Sequence, residues 1–260
     1  MISPVLLHLG PFEIRWYGVI FALMFLIGGY MAAKLAKYRK LKKDDMYDFL
    51  IYLIPLTIIF ARLAHIFIYN YDYYIINPIE MFKIWKGGVS IHGGVFGGVL
   101  GGWIFCKRKN IKFYDLADVF LVPLSFGIIF GRIGNFINQE LYGRITNLPW
   151  GVKFDNVEGI RHPSQIYEAI AHLALFIVLF KLLKNKNLRS GFVFWSFITL
   201  YSFLRFFAEF FREAKIISFG LTMPQLISIP LFLLGLYMLF RKDTFINSKD
   251  SIINKDGKKL

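Results

Sequence analysis

Cysteine is almost absent from these 260 residues. Cys106 stands alone, which excludes an internal disulfide framework. It sits beside Lys107 at the end of an apolar run, where a packed, inert thiol is the expected state. Acid is scarce too, with 17 Asp and Glu against 31 Lys and Arg. The five histidines are scattered and show no metal-ligand spacing. No Gly-Lys-Ser or Gly-Lys-Thr follows the glycine-rich run, which argues against a phosphate loop. Neither an H-x-x-x-x-D pair nor a nucleophilic serine elbow is present to support an acyltransferase. Pro11, Glu13 and Arg15 precede the first apolar run, so the start lacks the basic, apolar and small-residue order of a signal peptide. The first helix is therefore expected to remain as an anchor. No soluble domain and no long internal repeat is visible.

What the chain has instead is apolar bulk. Hydrophobic residues make up 56%, 29 of them Phe, and the mean hydropathy is +0.51. Soluble domains are roughly 45–50% apolar, and here the excess gathers in runs near the length of about 20 residues that a bilayer needs. Seven spans are predicted, at 16–36, 46–69, 89–105, 116–136, 165–183, 191–211 and 224–240. The formal charge of +14 is not spread as a nucleic-acid binder would carry it. Of the 31 cations, 20 fall in four groups, at 34–43, 107–112, 181–189 and 241–259, each after or between apolar segments. That is the positive-inside pattern of cytoplasmic loops, with anionic lipid headgroups as counterions. The expected fold is an all-α integral membrane protein of seven transmembrane helices, N-terminus outside and C-terminus cytoplasmic. It forms one membrane domain over 1–260, with an outer cap segment at about 138–164 and a polar cytoplasmic tail at about 242–260. The Tyr- and Trp-rich segment 70–88 is expected at the interface.

Polar groups inside such a chain mark candidate sites. The stretch Gly131 to Gly143, GRIGNFINQELYG, follows an apolar run and carries Arg132, Asn135, Asn138, Gln139 and Glu140. Arg62, His65 and Tyr69 form one stripe of the second span. The third opens on Ser90-Ile91-His92 and continues with glycines at 93, 97, 101 and at 94, 98, 102, a spacing for close helix packing. In the sixth, Arg205, Glu209 and Arg212 are i, i+4 and i+7, on one face of a helix otherwise made of Phe. Arg205 and Glu209 can pair, yet one Glu cannot neutralise Arg62, Arg132, Arg205 and Arg212. The remaining charge calls for an anion, and lipid phosphate suits the guanidinium fork. Tyr17, in Trp16-Tyr17-Gly18, reads on composition as an interfacial anchor. A transporter or channel for an anionic solute fits the same composition and topology.

The residues resemble one family over nearly the whole chain: the bacterial prolipoprotein diacylglyceryl transferases. Their G-R-x-G-N-F-x-N-x-E-x-x-G signature reads unbroken from Gly131 to Gly143. Trp16-Tyr17-Gly18, His92-Gly93-Gly94, the run from Arg161 to Glu168, and Arg205 through Glu209 to Arg212 stand around it in family order. The outer loop at 138–164 is shorter than in some members. The resemblance implies seven transmembrane helices in the bacterial inner membrane, with the active site towards the outer leaflet. It also implies transfer of the diacylglyceryl group of phosphatidylglycerol to the lipobox cysteine in prolipoprotein signal peptides. A thioether forms and glycerol 1-phosphate leaves, with no cofactor, no metal and no nucleic acid involved. On that basis Arg132 and Arg205 hold the phosphate, with Arg62 and Arg212 adding to the positive field. Asn135 and Asn138 donate to the headgroup or order the loop, and Glu140 and Glu209 orient arginines. Tyr17 binds headgroup or peptide, and Gly143 belongs to the binding signature. His92 is the candidate base, with thiolate formation in the arginine field as its competitor.

Overall fold

The computed structural model describes residues 5–9 and 12–241; the expected tail lies outside them. A long helix stands on each of the seven apolar segments. Two strands, β1 (Val5–Leu9) and β2 (Phe12–Arg15), pair antiparallel and lead into α1 (Trp16–Leu35). Then come α2 (Lys43–Ala64), the short α3 (Tyr71–Ile76), α4 (Ile91–Lys109) and α5 (Phe113–Ile137). Strands β3 (Val152–Lys153) and β4 (Ile160–Arg161) precede α6 (Ser164–Lys184) and α7 (Phe192–Ala208). A last ribbon, β5 (Ile216–Ser218) with β6 (Leu221–Thr222), leads to α8 (Met223–Phe240).

Among the described residues, five segments are helical, long and apolar enough to cross a membrane: Trp16–Arg39, Lys43–Tyr69, Phe113–Ile137, Ser164–Lys184 and Met223–Phe240. The chain is an integral membrane protein of the all-α class. α7 has only 17 residues, and α4 is diluted by six glycines and closes on Lys107-Arg108-Lys109. The backbone divides into two compact units, one of Met1–Ala32 with Asp118–Leu260, the other of Ala33–Ala117.

In the Ala33–Ala117 unit, the glycine stripe decides how two helices pack. Gly93, Gly97 and Gly101 of α4 face the backbone carbonyls of Phe60, Leu56 and Tyr52 of α2, a matching step of four. A Cβ on Gly93 or Gly97 would collide with the facing carbonyl oxygen, and on Gly101 it would lie 3.2 Å from it. The alternate stripe is looser: a Cβ on Gly98 would meet Leu53 Cδ1 at 3.4 Å and Thr57 Oγ1 at 3.5 Å. Ser90 starts α4, its N–H donating to Ala61 O and its Oγ accepting from Gly93 N. The buried Arg62 fans its guanidinium over four carbonyls: Glu80 at 2.6 Å, Gly87 at 2.7 Å, and Met81 and Gly88 at 2.9 Å. Tyr74 stacks on it at 5.0 Å. The arginine thus pins the segment that precedes α4. It spends on backbone the donors that its sequence position seemed to offer to an anion.

In the other unit, α7 packs on both α6 and α8. Gly235 of α8 abuts Thr199 of α7, and His172 of α6 meets the Tyr201 ring at 5.5 Å. A buried carboxylate, Asp118, accepts from the N–H groups of Gly191 and Phe194 at 2.9 and 2.8 Å. It therefore caps the first turn of α7 from another helix. Between α5 and α6 the loop folds over its own aromatic centre. Phe154 is buried and touches Phe136 and Tyr142, and β3 pairs with β4.

Candidate active site

The signature begins as helix and ends as loop. Arg132 and Asn135 lie on the last turns of α5, which stops at Ile137. Gln139 and Leu141 then take left-handed conformations, with φ of 57° and 60°, and fold the chain back on the helix end. Glu140 becomes the hub of that turn. Its Oε1 accepts from Asn135 at 2.8 Å and from Asn138 at 3.3 Å, and its backbone carbonyl accepts from Gln165 Nε2 at 2.7 Å. So Glu140 orients amides, where sequence expected it to orient an arginine. Tyr17 packs its ring over Gly134, where a Cβ would lie 3.0 Å from it, and feels Glu140, Asn135 and Arg132.

The arginines are ordered by two other carboxylates. One oxygen of Glu168 on α6 lies 2.8 Å from Arg132 Nη2 and 3.3 Å from Arg205 Nη1. Arg205 Nη2 meets Glu209 at 2.8 Å. Both carboxylates are nearly inaccessible, their side chains 2% and 1% exposed, while the two arginines keep 15% and 11%. Breaking a buried pair by removing one partner typically costs about 3–5 kcal/mol, because the other charge stays stranded. Arg212 does not continue the helix as its i+7 spacing promised. α7 ends at Ala208 and the chain tightens into i→i−3 turns, from Phe210 N–H to Phe207 O and from Arg212 N–H to Glu209 O. Arg212 instead bridges to Gly143. It still belongs to the cluster: burial and the Arg205 cation lower its pKa from the ordinary arginine value, Glu168 and Glu209 raise it, and Arg132 lowers it again. An arginine keeps its charge through such a shift. Three guanidiniums against two buried carboxylates leave one positive charge, a smaller excess than the arginine count alone predicted.

Gly143 has a steric reason to be glycine. Its N–H donates to His162 O at 2.9 Å, and a Cβ would fall 2.6 Å from His162 Cβ, His162 O and Phe211 O. Gly143→Ala should lower the thermal midpoint by several degrees, equivalent to about 1–3 kcal/mol of overpacking; an unchanged melt would show that the loop yields. The same seam holds Arg161, which is buried, ion-paired with Glu213 and stacked 5.0 Å over Tyr142.

In the Ala33–Ala117 unit, His92 is exposed on the first turn of α4, with Nδ1 3.4 Å from the Tyr69 hydroxyl. His65 contacts Asn70 at 3.1 Å.

Glu168 and Gln165 were not singled out as site residues from sequence. The available signal was their position: a Gln and a Glu three residues apart at the head of an apolar helix, which polar solvent cannot satisfy once buried. Among the described residues, no group of three or more His, Cys, Asp or Glu could hold a metal ion.

The fold and this centre define a class: a multi-pass membrane protein with a buried arginine–carboxylate cluster. Comparison with known proteins narrows it. The profile described as prolipoprotein diacylglyceryl transferase matches residues 4–241, and the chain belongs to that family. It is 40% identical over 244 residues to the phosphatidylglycerol–prolipoprotein diacylglyceryl transferase of Geobacter sulfurreducens, covering 91% of this chain and 94% of the relative. The protein of the same name from Rickettsia bellii (strain OSU 85-389) is 39% identical over 256 residues, with 93% and 96% covered. That of Rickettsia rickettsii (strain Sheila Smith) is 39% identical over 252 residues, with 92% and 96% covered.

Proposed function

We propose that this protein transfers the sn-1,2-diacylglyceryl group of phosphatidylglycerol to the lipobox cysteine of prolipoprotein signal peptides, the first step of lipoprotein maturation. Family membership and the relatives' name support the reaction. The observation that carries it to particular residues is the Arg132–Glu168–Arg205 bridge. In this reading the thiolate sulfur attacks the glycerol carbon, the carbon–oxygen bond to phosphate breaks, and its electron pair leaves on glycerol 1-phosphate. A guanidinium carries five donors, so Arg132 and Arg205 can hold Glu168 and still offer N–H groups to phosphate oxygens. Fixed positive charge at a leaving group stabilises the transition state without reorganisation. Glu168 and Glu209 hold the two arginines in place, Arg212 adds to the field, and Asn135, Asn138, Glu140 and Tyr17 shape the headgroup side. Arg62, with its donors on carbonyls, acts by pinning the segment before α4.

The topology that goes with this reading has all seven long helices crossing a bacterial inner membrane, the basic groups cytoplasmic and the cluster towards the outer leaflet. The 138–164 loop caps it. The incoming thiol, with a pKa of about 8.5 when free, must lose a proton. With its Nδ1–H donated to the Tyr69 oxygen, His92 offers Nε2 as the acceptor. His92→Gln is then expected to lower transfer at pH 7 at least about tenfold, with much of the loss recovered at pH 9, where the free thiol ionises without a base. Undiminished transfer at pH 7 would assign thiolate formation to the arginine field. The whole reading is tested by incubating purified protein with phosphatidylglycerol and a lipobox peptide. The peptide cysteine gains the mass of one diacylglyceryl group, and its failure to do so overturns the proposal.

A further inference from the structure

The turn after α5 and the head of α6 leave two acceptors unpaired. Among the described residues, Asn138 Oδ1 and Gln165 Oε1 are buried atoms with no hydrogen-bond partner. Both amides are oriented by the same residue. Asn138 donates its NH₂ to the Glu140 carboxylate, and Gln165 donates its own to the Glu140 carbonyl. A carboxylate and a carbonyl can only accept, so neither amide can turn over, and each must point its oxygen away from Glu140. Leaving such an oxygen unmatched costs about 1–3 kcal/mol, and Gln165 is 1% exposed. On α6, Gln165 lies three residues before Glu168, on the same face as the carboxylate that holds Arg132 and Arg205. A donor-rich anion clamp is therefore flanked by an acceptor pair.

We propose that Gln165, with Asn138, is a specificity-determining residue that accepts hydrogen bonds from the hydroxyls of the donor lipid's polyol headgroup. This rests on the reaction proposed above. Phosphate oxygens cannot fill these acceptors, because they carry no proton. Lipid ester carbonyls cannot either. A headgroup glycerol can, since it brings two O–H donors one short chain away from the phosphate. The sequence left Asn138 either donating to the headgroup or ordering the loop; its NH₂ orders the loop through Glu140, and its oxygen does the recognising.

The test compares two lipids that share the phosphodiester and the acyl chains: phosphatidylglycerol, and phosphatidylpropanol, whose headgroup has no hydroxyl. Transfer to a lipobox peptide is measured in mixed micelles. The wild-type protein should favour phosphatidylglycerol in kcat/KM by about tenfold or more, because a site built to bond a hydroxyl rejects the analogue lacking it. Gln165→Met, of similar length and without the acceptor, should bring that ratio to near one, and Asn138→Leu should move it the same way. Equal kcat/KM for the two lipids in the wild type overturns the proposal without any variant. An equal loss on both lipids in Gln165→Met also overturns it, assigning the glutamine to support of the turn or to a buried water. A rise in peptide KM alone would place the donor on the signal peptide, again against the proposal. Absence of transfer from either lipid in the wild type would instead defeat the parent reaction.

Discussion

Arg132→Ala is expected to lower kcat for diacylglyceryl transfer by about 10²–10³-fold, the usual cost of removing one fixed donor at a developing anion. The protein should still insert and fold. Arg132 keeps 15% of its side chain exposed and shares Glu168 with Arg205, so its loss leaves that carboxylate one partner. Single-turnover transfer with saturating peptide reads the effect on chemistry, and thermal unfolding in detergent reads the effect on the fold. Full turnover would remove the phosphate clamp, whatever happened to stability. Glu168 should behave in the opposite sense, with stability suffering first.

The second large effect is structural. Gly97→Leu should prevent α2 and α4 from closing, at a cost above about 4 kcal/mol, in the range reserved for exceptional single changes. The reason is geometric: the added Cβ meets the Leu56 carbonyl, which belongs to a helix backbone and cannot step aside. Gly98→Ala, one residue on, meets only the side chains of Leu53 and Thr57 at 3.4 and 3.5 Å. It should be neutral or stabilising by up to about 1 kcal/mol, because alanine is the better residue in a helix interior. Equal damage from both substitutions would mean that the stripe does not seat the two helices as described. Recovery of folded protein after detergent extraction separates the cases.

How much of this could be read from the residues alone depends on distance along the chain. Hydropathy marked the all-α membrane class and the long apolar helices, because apolar runs are local properties. The glycine step of four in α4 was legible for the same reason, and its partner step at Phe60, Leu56 and Tyr52 was not. The signature put Arg132 and Glu140 near a helix end, but nothing in it showed Glu168 or the two asparagine amides as their partners. An i, i+4 pair such as Arg205 and Glu209 can be found by counting, whereas Glu168 reaches Arg205 from 37 residues away. Arg62 shows the same limit, since four carbonyls from residues 80–88 cannot be inferred from a stripe on α2. The end of α7 at Ala208 was hidden by a helical pattern that runs on to Arg212, and backbone pairing with Gly143 overrode it.

That pairing has a consequence for ligand binding. Gly143 and Arg144 are laced on one side to His162 and on the other to Phe211 and Arg212, by N–H to O bonds of 2.9–3.0 Å and the Gly143–Arg212 bridge. A loop of this kind ordinarily has to be immobilised when a ligand arrives, and each ordered side chain then subtracts about 0.5–1.5 kcal/mol from affinity. Here the ordering is completed during folding. The segment that carries Glu140 and the segment that carries Arg212 are fixed to each other by the fold itself, so on the proposed reading the headgroup side is ordered before any lipid arrives.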